Sequence, residues 1–402
     1  MSLDRRRVRG IIFKTHAWLG LQFCIVLFVI FLTGLLLMFS PEINSTNKSE
    51  LWIAPPNAEA QTASVGQIYD SVRSAVPGAQ IHVMVSPPRP WFGARVYGHS
   101  DRGNFVAHVH PVTAEILAFD GGSFLRKVVR RLHDSLLLPV SFANTLVNAL
   151  SLVVLTLVAT GLITYRRFWK GYVRKPEGEK GTRKRHGELH RLVAVWVAPF
   201  LIVSALGSTF FLSKELGLKP ELPRAEAPVP RDVRIPEEFN GDALDRLARS
   251  CFDALPTLEI DVADLSAGPE RPMRFVGHDT EVGPIFGSAT CHVDPSTGNL
   301  LGILRSADGN LAAKLDTLAL KMHYGTWAGW TSIVLWVIGG ALSLILAFTG
   351  ARVYASRIVS AGDARSTPRF RRSTVPVVIK GLGMGKWVYL LIPVGALITI
   401  LL

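Results

Sequence analysis

Long apolar runs separated by polar, charged segments dominate the pattern of the chain. Four runs contain no Asp, Glu, Lys or Arg, and each supplies the roughly 20 apolar residues with which a helix crosses a bilayer; they are 15–41, 135–165, 192–213 and 324–351. A fifth run, 387–402, would be about 24 Å long as a helix. The pattern predicts a mainly α-helical membrane protein with four spanning helices and a fifth helix at the C-terminus. Whether this fifth helix crosses the whole membrane stays open.

Composition and charge sharpen this picture. Hydrophobic residues make up 49% of the chain, whereas disordered chains contain few hydrophobic residues. Charged residues make up only 19%, whereas soluble domains average about 25% charged residues. Half of the 44 lysines and arginines, but only five of the 31 acidic residues, lie in 1–15, 166–191 and 355–386. The positive-inside rule makes these basic segments cytoplasmic, so the net charge of +13 is a topology signal and no nucleic-acid partner is expected.

The resulting topology places a multi-pass chain in a bacterial inner membrane with its N-terminus in the cytoplasm. The predicted cytoplasmic segments are 1–14, 166–191 and 352–386, and the predicted periplasmic domains are 42–134 and 214–323.

The two halves of the chain repeat the same motifs. HVHPVTAEIL (108–117) and CHVDPSTGNLLG (291–302) each predict a strand, a proline-containing turn and a second strand. KTHAWLGLQF and GELHRLVAVW open the first and third spans, and VRRLHDSLLLP and LALKMHYGTWAG precede the second and fourth. Each half therefore predicts a helix, a small extracytoplasmic α+β domain and a helix. The first hairpin departs from the second, with His110 in place of Asp294 and Ala114 in place of Gly298.

Four of the eleven histidines occupy equivalent positions at the ends of these spans. His16 and His190 fall near the cytoplasmic face, and His133 and His323 near the periplasmic face. Because two neutral imidazoles facing each other in a helix bundle suit the axial positions of a haem iron, these pairs predict two b-type haems. Glycines in the spans, such as Gly34, Gly161 and Gly207, would let a flat macrocycle approach the backbone. Ordinary interfacial histidines are the competing explanation.

Several side chains leave alternatives open. His186 lies four residues before His190 on the same helical face and is a second candidate for that ligand position. His108 and His110 share one strand face, where exposed polar residues are favoured over a metal site. Cys251 and Cys291 fall on the same external side, so a disulfide stays open. Thr15 and Asp134, next to His16 and His133, are candidates for hydrogen bonds to the imidazoles.

Together these motifs resemble the PepSY-associated transmembrane family, which includes inner-membrane ferric-siderophore reductases. The resemblance rests on THAWLGL, the two hairpins, LHDSLLL, GELHRLVAVW and MHYGTWAG, and it covers nearly the whole chain. It implies PepSY-like external domains and haem carried by His16, His133, His190 and His323. It also implies reduction of a ferric siderophore in the periplasm, which releases Fe(II) for iron uptake.

The expected activity is therefore haem-dependent ferric-siderophore reduction. GLGMG (381–385) has no strand before it and does not predict a nicotinamide domain, so the electron donor would be a separate cytoplasmic reductase, a flavin or a membrane quinol. One rival is a siderophore or metal transporter. Transporters usually carry charged residues inside their spans, and the absence of such residues from these spans argues against this function. Another is a membrane-anchored PepSY-type sensor or binding module, which would need no haem.

Overall fold

The structure is a computed structural model that describes residues 5–362, apart from 58, 122, 140, 166, 174, 180–181, 219–234 and 269–270, and also residue 382. The described α-helices are α1 (Arg5–Met38), α2 (Ser40–Asn44), α3 (Val65–Ala75), α4 (Phe124–Ser135), α5 (Ala143–Thr164), α6 (Arg183–Glu215), α7 (Gly241–Ala254), α8 (Leu311–Tyr324) and α9 (Gly329–Gly362). The strands are β1 (Gln80–Val85), β2 (Ala94–Ser100), β3 (Gly103–Val109), β4 (Ile116–Asp120), β5 (Leu258–Asp264), β6 (Met273–Asp279), β7 (Ser288–Val293) and β8 (Leu300–Arg305). The predicted C-terminal helix, 387–402, lies outside the described residues.

The chain divides into two compact units. The helical unit comprises Met1–Phe39, Lys127–Lys219 and Ala319–Leu402, and the sheet unit comprises Ser40–Arg126 and Pro220–Leu318.

Four helices of the helical unit, α1, α5, α6 and α9, are long and apolar enough to cross a membrane. The four predicted apolar runs supply them, so the chain is a multi-pass membrane protein. α1 packs on α5 and α9, and α6 packs on the same two helices. α6 starts at Arg183, inside the predicted loop 166–191, because the Thr182 side chain accepts a hydrogen bond from the Arg185 amide and caps the helix.

The second spanning helix starts later than the apolar run that predicts it. Leu136 and Leu137 adopt positive φ angles of 53° and 58°, which end α4, and α5 begins only at Ala143. A left-handed leucine costs roughly 1–2 kcal/mol. Both leucine side chains are buried, and this burial offsets the backbone strain. The reversal leaves His133 on α4, a separate short helix that precedes the span.

The sheet unit contains one eight-stranded antiparallel sheet with the order β4-β3-β2-β1-β5-β6-β7-β8. This order is palindromic with respect to the two halves, so the sequence repeat becomes an approximate two-fold axis between β1 and β5. At that centre Val83 lies opposite Asp264, and Val85 lies opposite Val262. The two predicted α+β segments therefore share one continuous sheet. Pairing β1 with β5 removes two open sheet edges that would otherwise expose unpaired backbone groups.

Helices α3 and α7 pack together and cover one face of this sheet through a shared hydrophobic core. Each helix caps the other. The Asp245 carboxylate accepts hydrogen bonds from the Gly66 amide at 2.8 Å and from the Ser64 hydroxyl at 2.6 Å. Asp70 accepts from the Gly241 amide at 2.7 Å. Each carboxylate thus satisfies a free amide, and carries negative charge, at the positive N-terminus of the partner helix.

Removal of one of these carboxylates should loosen the helix pair. Asp245→Ala leaves the amide of Gly66 without its charged acceptor, and we expect the local free energy of opening of α3 and α7 to fall by about 1–2 kcal/mol. Hydrogen exchange of the full-length chain in detergent, read by mass spectrometry, measures this quantity. The control is Asp253→Ala, which removes an exposed carboxylate from the other end of α7. Equal exchange in both variants would contradict the reciprocal capping.

The two hairpin turns reach the same geometry with different residues. In the second, the Asp294 carboxylate accepts from the Ser296 amide at 2.9 Å, and Gly298 has a φ of 78°. In the first, His110 Nδ1 accepts from the amides of Val112 and Thr113 at 3.3 Å, and Ala114 has a φ of 58°. His110 is therefore a turn residue.

Candidate functional site

Two histidine pairs lie inside the helical unit. His16 on α1 faces His190 on α6, with 6.5 Å between the ring centroids. His133 on α4 faces His323 on α8, with 6.2 Å between the centroids. The structure therefore brings together the same residues that the repeat of the sequence pairs. Each pair takes one histidine from each half of the chain.

The orientation of each imidazole is set by a neighbouring spanning helix. His16 Nδ1 lies 3.1 Å from the carbonyl oxygen of Leu157 and 3.1 Å from the hydroxyl of Thr160, one turn apart on α5. The same arrangement recurs for His133 with Ile30 and Thr33 on α1 (3.1 and 3.2 Å) and for His190 with Leu346 and Thr349 on α9 (3.1 and 3.2 Å). His323 Nδ1 lies 3.4 Å from the Ser208 hydroxyl on α6.

These contacts assign the protonation of the rings. The hydroxyl of Thr160 donates its only proton to the carbonyl oxygen of Thr156 at 2.6 Å, so toward His16 it acts as an acceptor, as the Leu157 carbonyl must. Nδ1 of His16 therefore carries the hydrogen, and Nε2 keeps its lone pair. Equivalent donations fix His133 and His190, from Thr33 to Val29 and from Thr349 to Ile345. Such an outer hydrogen bond to a carbonyl or hydroxyl is typical of metal-ligating histidines.

Glycines allow the rings to approach the helices this closely. A Cβ atom at Gly161 would lie 3.2 Å from Cε1 of His16, tighter than ordinary packing. The matching distances are 3.0 Å between Gly34 and His133 and 3.1 Å between Gly350 and His190, whereas a Cβ atom at Gly207 would lie nearest the carbonyl oxygen of Ala319, at 3.2 Å. Gly34, Gly161 and Gly350 thus contact the imidazoles, and Gly161 and Gly350 also line the cavity beside His16 and His190.

A Thr-Gly dipeptide is the element that sequence reasoning missed. Three spans carry it, at Thr33-Gly34, Thr160-Gly161 and Thr349-Gly350, and α6 carries Gly207-Ser208. Alignment of the four spans with one another would have revealed this repeat. The predicted partners Thr15 and Asp134 are replaced by residues on other helices. Asp134 instead accepts a hydrogen bond from Arg130 at 3.2 Å.

The ring separations fit two imidazoles on opposite sides of one metal ion. Two metal–nitrogen bonds of about 2 Å, and about 1.2 Å from each nitrogen to its ring centre, separate two such imidazoles by roughly 6.4 Å. The observed values of 6.5 and 6.2 Å leave room for one iron atom in each pair. With Nδ1 occupied by hydrogen bonds, Nε2 is the nitrogen that His16, His133 and His190 offer.

A cavity of about 730 Å³ surrounds the His16–His190 pair. Its walls are mostly apolar side chains from all four spanning helices, and Gly20, one of the glycines in the first span, also lines it. The volume lies in the range of about 300–1,000 Å³ that is usual for cofactor sites. The residues present therefore fit a large, flat, mostly apolar cofactor.

The remaining candidate histidines have other surroundings. His186 lies one turn before His190 on α6, and its Nε2 is buried without a hydrogen-bond partner among the described residues; the ring that faces His16 belongs to His190. His108 is not exposed, and its Nε2 lies 3.1 Å from the Asp120 carboxylate. Within the described residues, no group of three or more His, Cys, Asp or Glu side chains is placed to hold a metal ion.

The two cysteines of the sheet unit form a disulfide. Cys251 on α7 is bonded to Cys291 on β7, which answers the question that the sequence leaves open. Cys24 is free and buried in α1, as expected for a small apolar residue.

Four spanning helices with two fixed histidine pairs, in one chain with a two-half α+β unit, define a multi-pass membrane protein with two candidate cofactor sites. The chain belongs to the PepSY-associated transmembrane family, since the family model described as the PepSY-associated TM region matches residues 13–357. A search of curated proteins finds no match to the chain.

Proposed function

We propose that this protein is a di-haem membrane oxidoreductase that reduces a ferric siderophore on the periplasmic side of a bacterial inner membrane. The observation that carries the proposal is the pair of imidazole couples, 6.5 and 6.2 Å apart, whose Nδ1 atoms are all held by helix carbonyl or hydroxyl groups. A random pair of interfacial histidines needs no such support. Three rings share one pattern of a carbonyl and a threonine hydroxyl, and the fourth, His323, contacts a serine hydroxyl, which indicates a common chemical task.

The protein's own groups would hold two b-type haems. Nε2 of His16 and His190 would ligate one iron, and Nε2 of His133 and His323 the other. The bound haems would supply one-electron ferric/ferrous chemistry. The carbonyls and threonine hydroxyls would keep His16, His133 and His190 in one tautomer and one orientation, and would raise their basicity as ligands.

The orientation of the chain follows from charge and redox chemistry. The basic segments 1–14, 166–191 and 352–386 favour the cytoplasm by the positive-inside rule. The Cys251–Cys291 disulfide in the sheet unit favours an oxidising compartment such as the periplasm. The His16–His190 pair, near the start of α1 and α6, would then lie toward the cytoplasm, and the His133–His323 pair toward the periplasm.

The proposed substrate is a ferric siderophore, which the family resemblance suggests. Hard Fe(III) prefers the charged oxygen ligands of such chelators, and the addition of one electron gives Fe(II), which these ligands hold less tightly. A cytoplasmic-side donor, a reductase, a flavin or a membrane quinol, would supply that electron. Membrane lipid is the remaining partner.

Re-oxidation of the reduced protein tests this function. The full-length chain is purified with haem supplied during expression, reduced under anaerobic conditions, freed of reductant and mixed with a ferric siderophore and a colorimetric Fe(II) trap. One Fe(II) should appear for each electron lost from the protein. The gallium(III) complex of the same siderophore is the control, since it has the same shape and cannot be reduced. A colourless protein, or a reduced protein that ferric siderophore leaves reduced, would reject the proposal.

The hydrogen bond to His16 should tune the cofactor held by the first pair. Thr160→Val removes the hydroxyl acceptor while the Leu157 carbonyl remains, so we expect haem affinity at this pair to fall about tenfold, the lower end of the usual effect. Retention of haem on dilution, followed by absorption, measures it. The matched control is Thr156→Val, one turn earlier on α5, whose exposed hydroxyl donates to the Leu152 carbonyl at 2.7 Å and does not line the cavity. If both variants retained haem equally well, the Thr160 hydroxyl would have no specific role in haem binding.

A further inference from the structure

The cavity around His16 and His190 has a cationic end. Four basic side chains line it: Arg183, Lys184, Arg191 and Arg357. Among the described residues that line this cavity there is no Asp or Glu. The nearby carboxylate of Glu188 accepts hydrogen bonds from the backbone amides of Glu177 and Gly178 at 2.8 and 3.0 Å and interacts electrostatically with Lys184 and Arg191. The cavity therefore combines an apolar body with an end that carries a net positive charge.

Arg357 has an unpaired polar atom at this end of the cavity. Its Nε is buried and makes no hydrogen bond within the described part of the chain, while its guanidinium carbon lies 4.7 Å from the centre of the Phe13 ring. Arg183 is close enough to repel it electrostatically. The positive-inside rule accounts for basic residues in this segment. It does not account for a buried, unpaired guanidinium nitrogen beside a second arginine, because such an arrangement is costly without an anion.

The positions of the two arginines relate to the histidine pair. Arg183 precedes His190 by seven residues on α6, and Arg357 follows Gly350, which contacts the His190 ring, by seven residues on α9. Seven residues are two helical turns, so each arginine lies about 10 Å along its helix from the level of the pair, on the same face. Arg183 is also in the first turn of α6, where the unpaired amides add positive potential and no acidic residue offsets it.

We infer that Arg183 and Arg357 form a carboxylate site that binds the two propionates of the haem held by His16 and His190. This inference rests on the proposed function. Haem is a flat, apolar molecule with two carboxylates at one edge. The apolar walls of the cavity match its ring, and the cationic end of the cavity matches its carboxylates. Arginine suits the task since its planar guanidinium binds carboxylate through two parallel hydrogen bonds. The site thus fixes which edge of the macrocycle points toward the start of α6.

The test compares ferric protohaem IX with its dimethyl ester, which lacks both carboxylates and keeps the ring and the iron. Each is titrated into the apo full-length chain carrying His133→Ala, so that absorption reports on one pair only. The chain should bind the diacid at least tenfold more tightly than the ester. In the Arg183→Gln, Arg357→Gln variant this preference should largely disappear. Arg9→Gln and Lys170→Gln, which remove exposed cations of the same basic segments, should keep it.

The outcomes separate this site from the proposed function. Tight, His190-dependent binding of both compounds with equal affinity would overturn the carboxylate site and leave the haem assignment intact. Failure of both compounds to bind would overturn the carboxylate site and the haem assignment together. A lipid phosphate is the other source of an anion here, so the titrations are repeated in nanodiscs with and without phosphatidylglycerol. If the double variant loses bound phosphatidylglycerol but retains its preference for the diacid, the arginines bind lipid and the inference is wrong.

Discussion

Alanine in place of His16 or His190 should halve the haem content of the purified chain. Each imidazole would supply one of two axial bonds, and a b-type haem has no covalent attachment to replace the lost one. The double variant of one pair should lose no more haem than either single variant, because both substitutions destroy the same site. Combination of His16→Ala with His133→Ala, which removes a ligand from each pair, should leave none. Haem per chain is measured by the pyridine haemochrome spectrum.

The control for this series is His99→Ala, which removes an exposed histidine of β2 bonded to Asn104. His186→Ala is the more demanding comparison, since His186 is the alternative ligand on the same helix. Haem loss in His186→Ala together with full haem in His190→Ala would show that His186, one turn earlier on α6, is the ligand instead of His190. Full haem in all four single variants at the paired positions would reject the sites.

Loss of the disulfide should destabilise the sheet unit strongly. Cys251 and Cys291 are 40 residues apart, and closure of a loop of that length restricts the unfolded chain by roughly 4 kcal/mol in the chain-entropy treatment. We expect the Cys251→Ala, Cys291→Ala variant to lose about 2–5 kcal/mol of local stability. Hydrogen exchange of α7 and β7 in the full-length chain measures the change. The first half has Ala107 at the position equivalent to Cys291, so the effect should be larger in the second half.

Cys24→Ala is the control, because this cysteine is free and lies in the helical unit. Thiol counting checks the bond itself. The denatured chain should bind one maleimide without reductant and three after reduction. Three before reduction, or unchanged exchange in the double variant, would contradict a stabilising disulfide.

The spanning helices and the histidine pairs were accessible from the sequence. Long uncharged runs indicate helices that are surrounded by lipid. The repeated motifs place His16 and His190 at equivalent positions in the two halves, which predicts that they form a pair. The start of α5 was not accessible, because the run 135–165 is apolar throughout while Leu136 and Leu137 reverse the chain within it. Hydropathy does not record backbone dihedrals.

Contacts between distant segments account for the other differences. The pairing of β1 with β5 joins residues some 180 positions apart, such as Val83 and Asp264, and no local pattern specifies it. The Thr160 contact with His16 likewise depends on how α5 packs against α1. A threonine inside a span usually bonds to its own helix, as Thr160 also does, so its second role appears only when the helices are assembled.

Each histidine pair lies on the seam between the two halves of the chain. The first half supplies His16 and His133, the second supplies His190 and His323, and each half orients its own rings with its own helices. A cofactor bound there would cross-link the halves, so its binding free energy would also be assembly free energy. By thermodynamic linkage, a haem concentration 100-fold above Kd would add about 2.7 kcal/mol per site to the cohesion of the bundle. In the proposed di-haem state, haem supply would act as a maturation step, and chains made under haem shortage would be the looser ones open to proteolysis.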